Sequence, residues 1–439
     1  MGALPAVETL KSPTLREEVH RAVFPGGLQI YFCSKRGFKK RYACYATHYG
    51  SVDSVFAAPG ESETRRVPDG IAHFLEHTLF ETPKGNVNEL FARNGAYSNA
   101  MTSFNTTVYL FAASDRFYEN LALLLEFVEN PSFDPAKVEK ERGIIGQEIL
   151  MYRDDPGWVG YMGLLESLFV EHPLRIDIAG SPESIRRIDV AALDRSYRTF
   201  YSPANMILFA IGDIERDELL RFVGERSKGA AASHAAPAVR AIERSIPAEP
   251  PAVAREEFRR EMEVALPKLL LGFKEVGIPA AGPSFLRREM VTGLVLDILF
   301  GRASDGFQRL YRSQLVLDDF SATYHACSGA GYAAVGGETP DPAALRVAVW
   351  AEIERGQKAG IDESDFRRQK RKFIGGFIRQ FNSLEFIAGA YTYYRFHGVD
   401  LFDAIDVLES IGREEVEERL RTLFRPEAQA ASVIVPKGG

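Results

Sequence analysis

The apolar positions of this chain change their spacing several times, and each change marks an element. Residues 28–49, LQIYFCSKRGFKKRYACYATHY, hold two β-prone runs around a glycine-containing basic turn, which predicts a β-hairpin. A loop rich in proline, glycine and charge follows over 52–69. Helical patterning then begins near Gly70 and stops before Pro83. Residues 86–94 read as a second short helix, and AYSNAMTSFNTTVYLFAAS, rich in Thr, Tyr, Phe and Val, as strands. Asp134 and Pro135 form an N-cap and first-turn pair that opens a long helix ending before Pro156. Around residues 200–213, FYSPANMILFAIGDI predicts an apolar strand bounded by turn residues.

The pattern then fades. Residues 227–252 are rich in Ala, Pro and Ser with little periodicity, as expected of a linker. Beyond it the same kinds of element return. A strand at 269–273 leads to a helix at 285–300, strands at 319–326 and 331–337, helices at 342–359 and 363–381, and a final strand, ASVIVP. Strands and helices mix without strict alternation, so the expected fold class is α+β. Two similar layered domains, 1–228 and 253–439, are expected on either side of a linker at 229–252.

Composition narrows the function classes. The 439 residues exceed one compact core and suit two to four domains. A net charge of -7 argues against nucleic acid as the main partner. The basic runs at 35–41 and 367–372 then read as solvated faces. Cys33, Cys44 and Cys327 form no C-x-x-C pair, so a disulfide framework is not expected and a reducing compartment is. The N-terminal stretch has no apolar leader pattern, and no run approaches the ~20 apolar residues of a membrane span. The expectation is a cytoplasmic protein with no membrane partner.

One stretch carries chemistry. GIAHFLEHTLFE places His73 and His77 four residues apart, on one face of a helix. Both imidazoles can then reach one tetrahedral zinc ion, with Glu76 beside the metal's open position as a general base for water. Such a site wants a third protein ligand. Glu81 continues the spacing but lies about 12 Å along the axis from His73, too far for one ion. Another element must supply it. The helix after Asp134 offers Glu141 and Glu148, seven apart and nearly on one face, beside Ile144, Ile145 and Ile149. A carboxylate among isoleucines is costly without a partner such as a metal. That argument does not rank Glu139, Glu141 and Glu148.

The order H-x-x-E-H, followed some seventy residues later by E-x-x-x-x-x-x-E, resembles the inverzincin (pitrilysin) family of zinc metallopeptidases. NAMTSFNTTVYLF and FYSPANMILFAIGDI are similar to strands of that family, and the likeness is strongest over about 66–213. KRGF, VPDGIAHFLEH, EKERGIIGQEI and HPLRIDIAG most resemble bacterial members encoded as pairs. The resemblance implies one zinc ion per chain held by His73, His77 and Glu148, with Glu76 as the base and Glu141 as a supporting carboxylate. It implies that Asn99 and Ala100 lie on an edge strand that binds an extended peptide substrate. It also implies two homologous domains, each a mixed, largely antiparallel sheet flanked by helices, forming half of a clamshell.

The chain departs from the family in its second half. Peptide-cutting members carry an arginine and a tyrosine spaced R-x-x-x-x-x-x-Y there, which hold substrate and stabilise the oxyanion. In GFQRLYRSQLVLDDFSATY, Val316 stands seven after Arg309 and Asp319 seven after Arg312. Tyr311 and Tyr324 have the wrong spacing. The expectation is a division of labour, in which a homologous partner subunit supplies that pair. A homodimer using Arg309 or Arg395, and a non-catalytic scaffold, are the rivals. The aromatic stretch 383–398 reads as helix packing.

Overall fold

The computed structural model describes residues 4–83, 85–233 and 242–438. The chain divides into two compact units. One comprises Met1–Gln147, Ile178–Ser245 and Gln380–Phe396; the other comprises Glu148–Asp177, Ile246–Arg379 and His397–Gly439. Each unit therefore takes one segment from the opposite half of the sequence.

In the first unit, β1 (Val7–Ser12), β2 (Glu17–Val23), β3 (Gln29–Ser34) and β4 (Arg41–Thr47) come first in the chain. Two short ladders follow, β5 (Val55–Phe56) with β6 (Arg65–Arg66) and β7 (Glu81–Thr82) with β8 (Gly85–Asn86). Then come β9 (Ala96–Thr102), β10 (Thr107–Ala113) and β11 (Met206–Gly212). The main sheet runs β1-β2-β3-β11-β4-β10-β9, so β9 is an edge.

The expected hairpin over 28–49 does not form. Its two strands are β3 and β4, but β11 lies between them, parallel to β3 and antiparallel to β4. The reason is burial. All seven residues of β11, MILFAIG, are buried, and a strand apolar on both faces belongs in the middle of a sheet. The basic turn instead grips the end of β11, with Lys35 N–H donating to Gly212 O at 2.7 Å.

Helices Phe117–Glu129 and Leu384–Phe396 pack on this sheet. Tyr391 of the latter is fully buried against Tyr31 and Phe209, with ring centroids 5.3 and 5.5 Å away. The aromatic stretch is thus core. All three cysteines are free and buried.

The second unit holds a five-stranded sheet ordered β12 (Glu257–Met262), β16 (Gln429–Pro436), β13 (Lys268–Val276), β15 (Ala330–Glu338) and β14 (Ser321–Cys327). Helix Pro156–Leu168 packs on β12, β13 and β16. Buried charges here come in pairs. Lys274 meets Glu249, which also accepts the backbone N–H groups of Val170 and Glu171 at 2.9 and 2.8 Å. Arg419 grips Glu275 with two 2.5 Å hydrogen bonds.

The stretch expected as linker is only partly extended. Helix Arg216–Ser233 runs into its first residues, as an Ala-rich sequence favours. Residues 234–241 lie outside the described residues. Arg244 pairs with buried Asp53 at 2.8 Å within the first unit, and Glu249 is fastened within the second.

Candidate metal centre

The motif helix, Ile71–Leu79, starts at Gly70 in a left-handed conformation with φ 90°. A Cβ at Gly70 would lie 2.5 Å from Ala179 O, and one at Gly180 (φ 77°) would lie 2.6 Å from Asp69 O. Two glycines thus cross at contact distance, and this crossing sets where the helix begins. Ile71, Phe74, Leu75, Thr78 and Leu79 are buried. The helix packs on β9, on β10 and on helix Val190–Phe200. That packing leaves His73 and His77 half-buried with ring centroids 4.6 Å apart. Glu76 sits in the buried part of the helix, and Thr102 Oγ1 donates to its Oε2 at 2.5 Å. Beneath it, Tyr109 and Tyr201 share a 2.7 Å hydrogen bond. Burial first, and less strongly the Glu76 carboxylate, hold both phenols well above their usual range; Tyr201 raises Tyr109 further, whereas the bond from Tyr109 works against the rise at Tyr201.

The carboxylate helix, Pro135–Asp154, begins where expected, with Asp134 Oδ1 accepting from Ala136 N–H at 2.8 Å. Arg142 fastens it by donating to Ile185 O and Ile188 O at 3.3 and 2.9 Å. Lys137 donates to Glu81 O at 3.1 Å, and Lys140 pairs with the Glu81 carboxylate at 3.3 Å. Glu81 is therefore a strut between the two helices.

The three glutamates that sequence alone left unranked now separate. Glu139 is exposed and ion-paired to Arg142. Glu141 is only 3% exposed, with Oε2 3.4 Å from His77 Nδ1. Donor atoms of His73, His77 and Glu148 all lie within 4.8 Å of one another. The boundary between the units falls just before Glu148, yet the helix is continuous, so the two turns from Glu141 place it. One expectation fails: Ile144 is 44% exposed, so only Ile145 and Ile149 give the apolar setting. Solvent takes Ile144 because it lies about 100° around the helix from Ile145.

Two imidazoles and a carboxylate are the donor set of catalytic zinc sites that keep a fourth position open. Tetrahedral coordination at ~2.1 Å needs donors about 3.4 Å apart, so side-chain adjustments suffice to close this group on an ion. The residues fit zinc.

On β9 the exposure alternates, with Tyr97, Asn99 and Met101 on the open face. Asn99 and Ala100 therefore point to opposite faces, and Ala100 shares the face of Thr102. Sequence reasoning missed Thr102, Tyr109 and Tyr201. Only the period of two that puts Thr102 on Ala100's face hinted at the first.

In the second half, Arg309 is locked on buried Glu352 by hydrogen bonds of 2.7 and 2.5 Å. Tyr324 donates to Glu275 at 2.8 Å, and Arg395 lies over the Tyr31 ring at 5.4 Å.

The region holding this arrangement, residues 61–181, matches the model described as Insulinase (Peptidase family M16). Residues 187–373 match the Peptidase M16 inactive domain. A relative from Bacillus subtilis (strain 168), named "Uncharacterized zinc protease YmfH", is 38% identical over 98% of this chain and 100% of its own length. The chain belongs to peptidase family M16. An M16-like peptidase from Alicyclobacillus acidocaldarius superposes with a TM-score of 0.92 at 34% identity, covering 98% of this chain and 100% of that one. Pitrilysin, at 17% identity and a TM-score of 0.74, covers 99% of this chain and 47% of its own, and shares the fold. The α+β fold expected from sequence is thus the M16 fold. Among the described residues no helix is long and apolar enough to cross a membrane.

Proposed function

We propose that this chain is the metal-bearing subunit of a cytoplasmic zinc endopeptidase that hydrolyses unfolded peptides enclosed between two subunits. The observation that carries this reading is the convergence within 4.8 Å of donor atoms from His73 and His77, on the helix that also presents Glu76, and from Glu148 on the carboxylate helix. His73, His77 and Glu148 hold one zinc ion per chain, and Glu141 orients His77. When bound, the ion supplies a Lewis acid for the scissile carbonyl and lowers the pKa of a water to about 7. Glu76 takes the proton of the attacking water at its carboxylate and delivers it to the leaving amine. The free edge of β9, at Asn99 and Ala100, receives the peptide as an added strand.

A homologous partner completes the site. Arg309 and Tyr324 are committed to Glu352 and Glu275, so neither is available to hold substrate without breaking an internal pair. The partner supplies the arginine and tyrosine that stabilise the oxyanion. A peptide strand, not nucleic acid or a membrane, is the substrate.

Glu76→Gln tests the base. Cleavage of an unstructured peptide is expected to vanish while bound zinc, measured by elemental analysis, stays at the unchanged chain's level. Retained cleavage would sink the assignment. Full activity of this chain alone would refute the partner-supplied pair.

A further inference from the structure

Thr102 has no role in the scheme above, yet it makes a 2.5 Å hydrogen bond to the Glu76 carboxylate. It is the last residue of β9, and it sits on the face opposite Asn99. Its position is stiffly determined. Ser103 N–H donates to Thr106 O at 2.8 Å, and Thr106 N–H returns a bond to Ser103 Oγ at 3.1 Å, closing the turn into β10. Ser51 N–H and Val52 N–H donate to Ser103 O and Phe104 O at 3.1 and 3.0 Å, which clamps this turn from outside. The contact is so close that a Cβ on Gly50 would lie 2.4 Å from the Phe104 carbonyl.

A glutamate reaches its target through three rotatable bonds, and a base that wanders spends most of its time misaligned. A hydroxyl fixed from an independent element removes that freedom. We propose that Thr102 is the positioning residue for Glu76, holding one carboxylate oxygen so that the carboxylate plane faces the metal's open position. Because the same strand offers its free edge to peptide, substrate addition and base alignment act on one rigid element. This inference rests on Glu76 being the base.

The test compares Thr102→Val, Thr102→Ser and Glu76→Gln in whichever assembly, alone or with its partner, the unchanged chain cleaves an unstructured reporter peptide. Thr102→Val keeps the shape and loses the donor. Its kcat should fall about tenfold or more, with KM within about twofold and zinc content unchanged. Thr102→Ser should restore kcat to within about threefold. A Thr102→Val enzyme with unchanged kcat beside an inactive Glu76→Gln enzyme overturns the proposal and leaves the base intact. Loss of zinc in Thr102→Val would show a structural role instead, and also overturns it. Cleavage by Glu76→Gln would remove the base assignment and this proposal together.

Discussion

The two units bury carboxylates in contrasting ways. In the second unit, Glu275 meets Arg419, Glu249 meets Lys274, and Glu352 meets Arg309. In the first unit, Glu141 faces His77 and Glu76 faces a threonine hydroxyl. A buried carboxylate must be compensated, and the physics accepts an arginine, a lysine or a metal ion. The second unit uses protein cations and is finished as it folds. The first does the same at Asp53 and Arg244, but around the motif helix it sets its buried acids against an imidazole and a hydroxyl. The two units thus differ in what the buried acids around their central helices and strands meet, not in whether those acids are compensated.

Removing the compensating group should break the two units differently, and this is the largest effect expected. Arg419→Ala takes both 2.5 Å bonds from Glu275 and should cost about 3–5 kcal/mol, read from the urea midpoint. Glu141→Gln should change the stability of the metal-free protein by less than about 1 kcal/mol and lower zinc affinity about 10- to 100-fold. A metal-free Glu141→Gln protein as unstable as Arg419→Ala would erase the distinction.

Acid should divide the units next. Burial pushes the His172 imidazole of the second unit down to about 4. Between roughly pH 6.5 and 4 its unfolded form therefore binds more protons than the folded one, so stability falls as pH falls. The loss should approach 3 kcal/mol by pH 4, at about 1.4 kcal/mol for every tenfold difference in proton affinity. Asp53 of the first unit behaves oppositely: burial, only partly offset by Arg244, raises it to about 6. Its folded form binds the extra proton between about pH 6 and 4, so it stabilises as pH falls. In pH-dependent urea titrations, His172→Gln should flatten acid destabilisation and Asp53→Asn should steepen it. The same slope in both variants would contradict the assignment.

Much of this was readable in the sequence, and the failures share one cause. The H-x-x-E-H spacing, the cap at Asp134 and the exclusion of Glu81 are local, because a helix turns spacing into geometry. The strands β3 and β4 were legible for the same reason. Their pairing was not, since β11 arrives from far along the chain and its insertion is a tertiary choice. Glu148 needed the resemblance, because composition treats Glu139, Glu141 and Glu148 alike until Arg142 and His77 are in place. Thr102 was barely legible: the period of two put it on Ala100's face, but nothing in SNAMTSFN distinguishes a threonine that bonds Glu76 from one that fills a strand. The segment 148–177, which joins the second unit, and 380–396, which joins the first, show that order along the chain need not be order in space.

The smallest effect expected sharpens the comparison by keeping the chemistry constant. Lys40 and Glu385 form the same residue pair as Lys274 and Glu249, but with side chains 52% and 44% exposed in place of 1% and 3%. Water already solvates the first pair, so its Coulomb gain is small and a Debye layer screens it. Lys40→Met should shift stability by less than about 1 kcal/mol, and the shift should vanish in about 1 M salt, where the screening length is ~3 Å. Lys274→Met strands Glu249 beneath three backbone N–H groups with no cation, and its cost should persist at any salt concentration. Identical salt dependence in the two variants would mean that burial does not set the value of an ion pair here. In that case the contrast between the units would lose its physical basis.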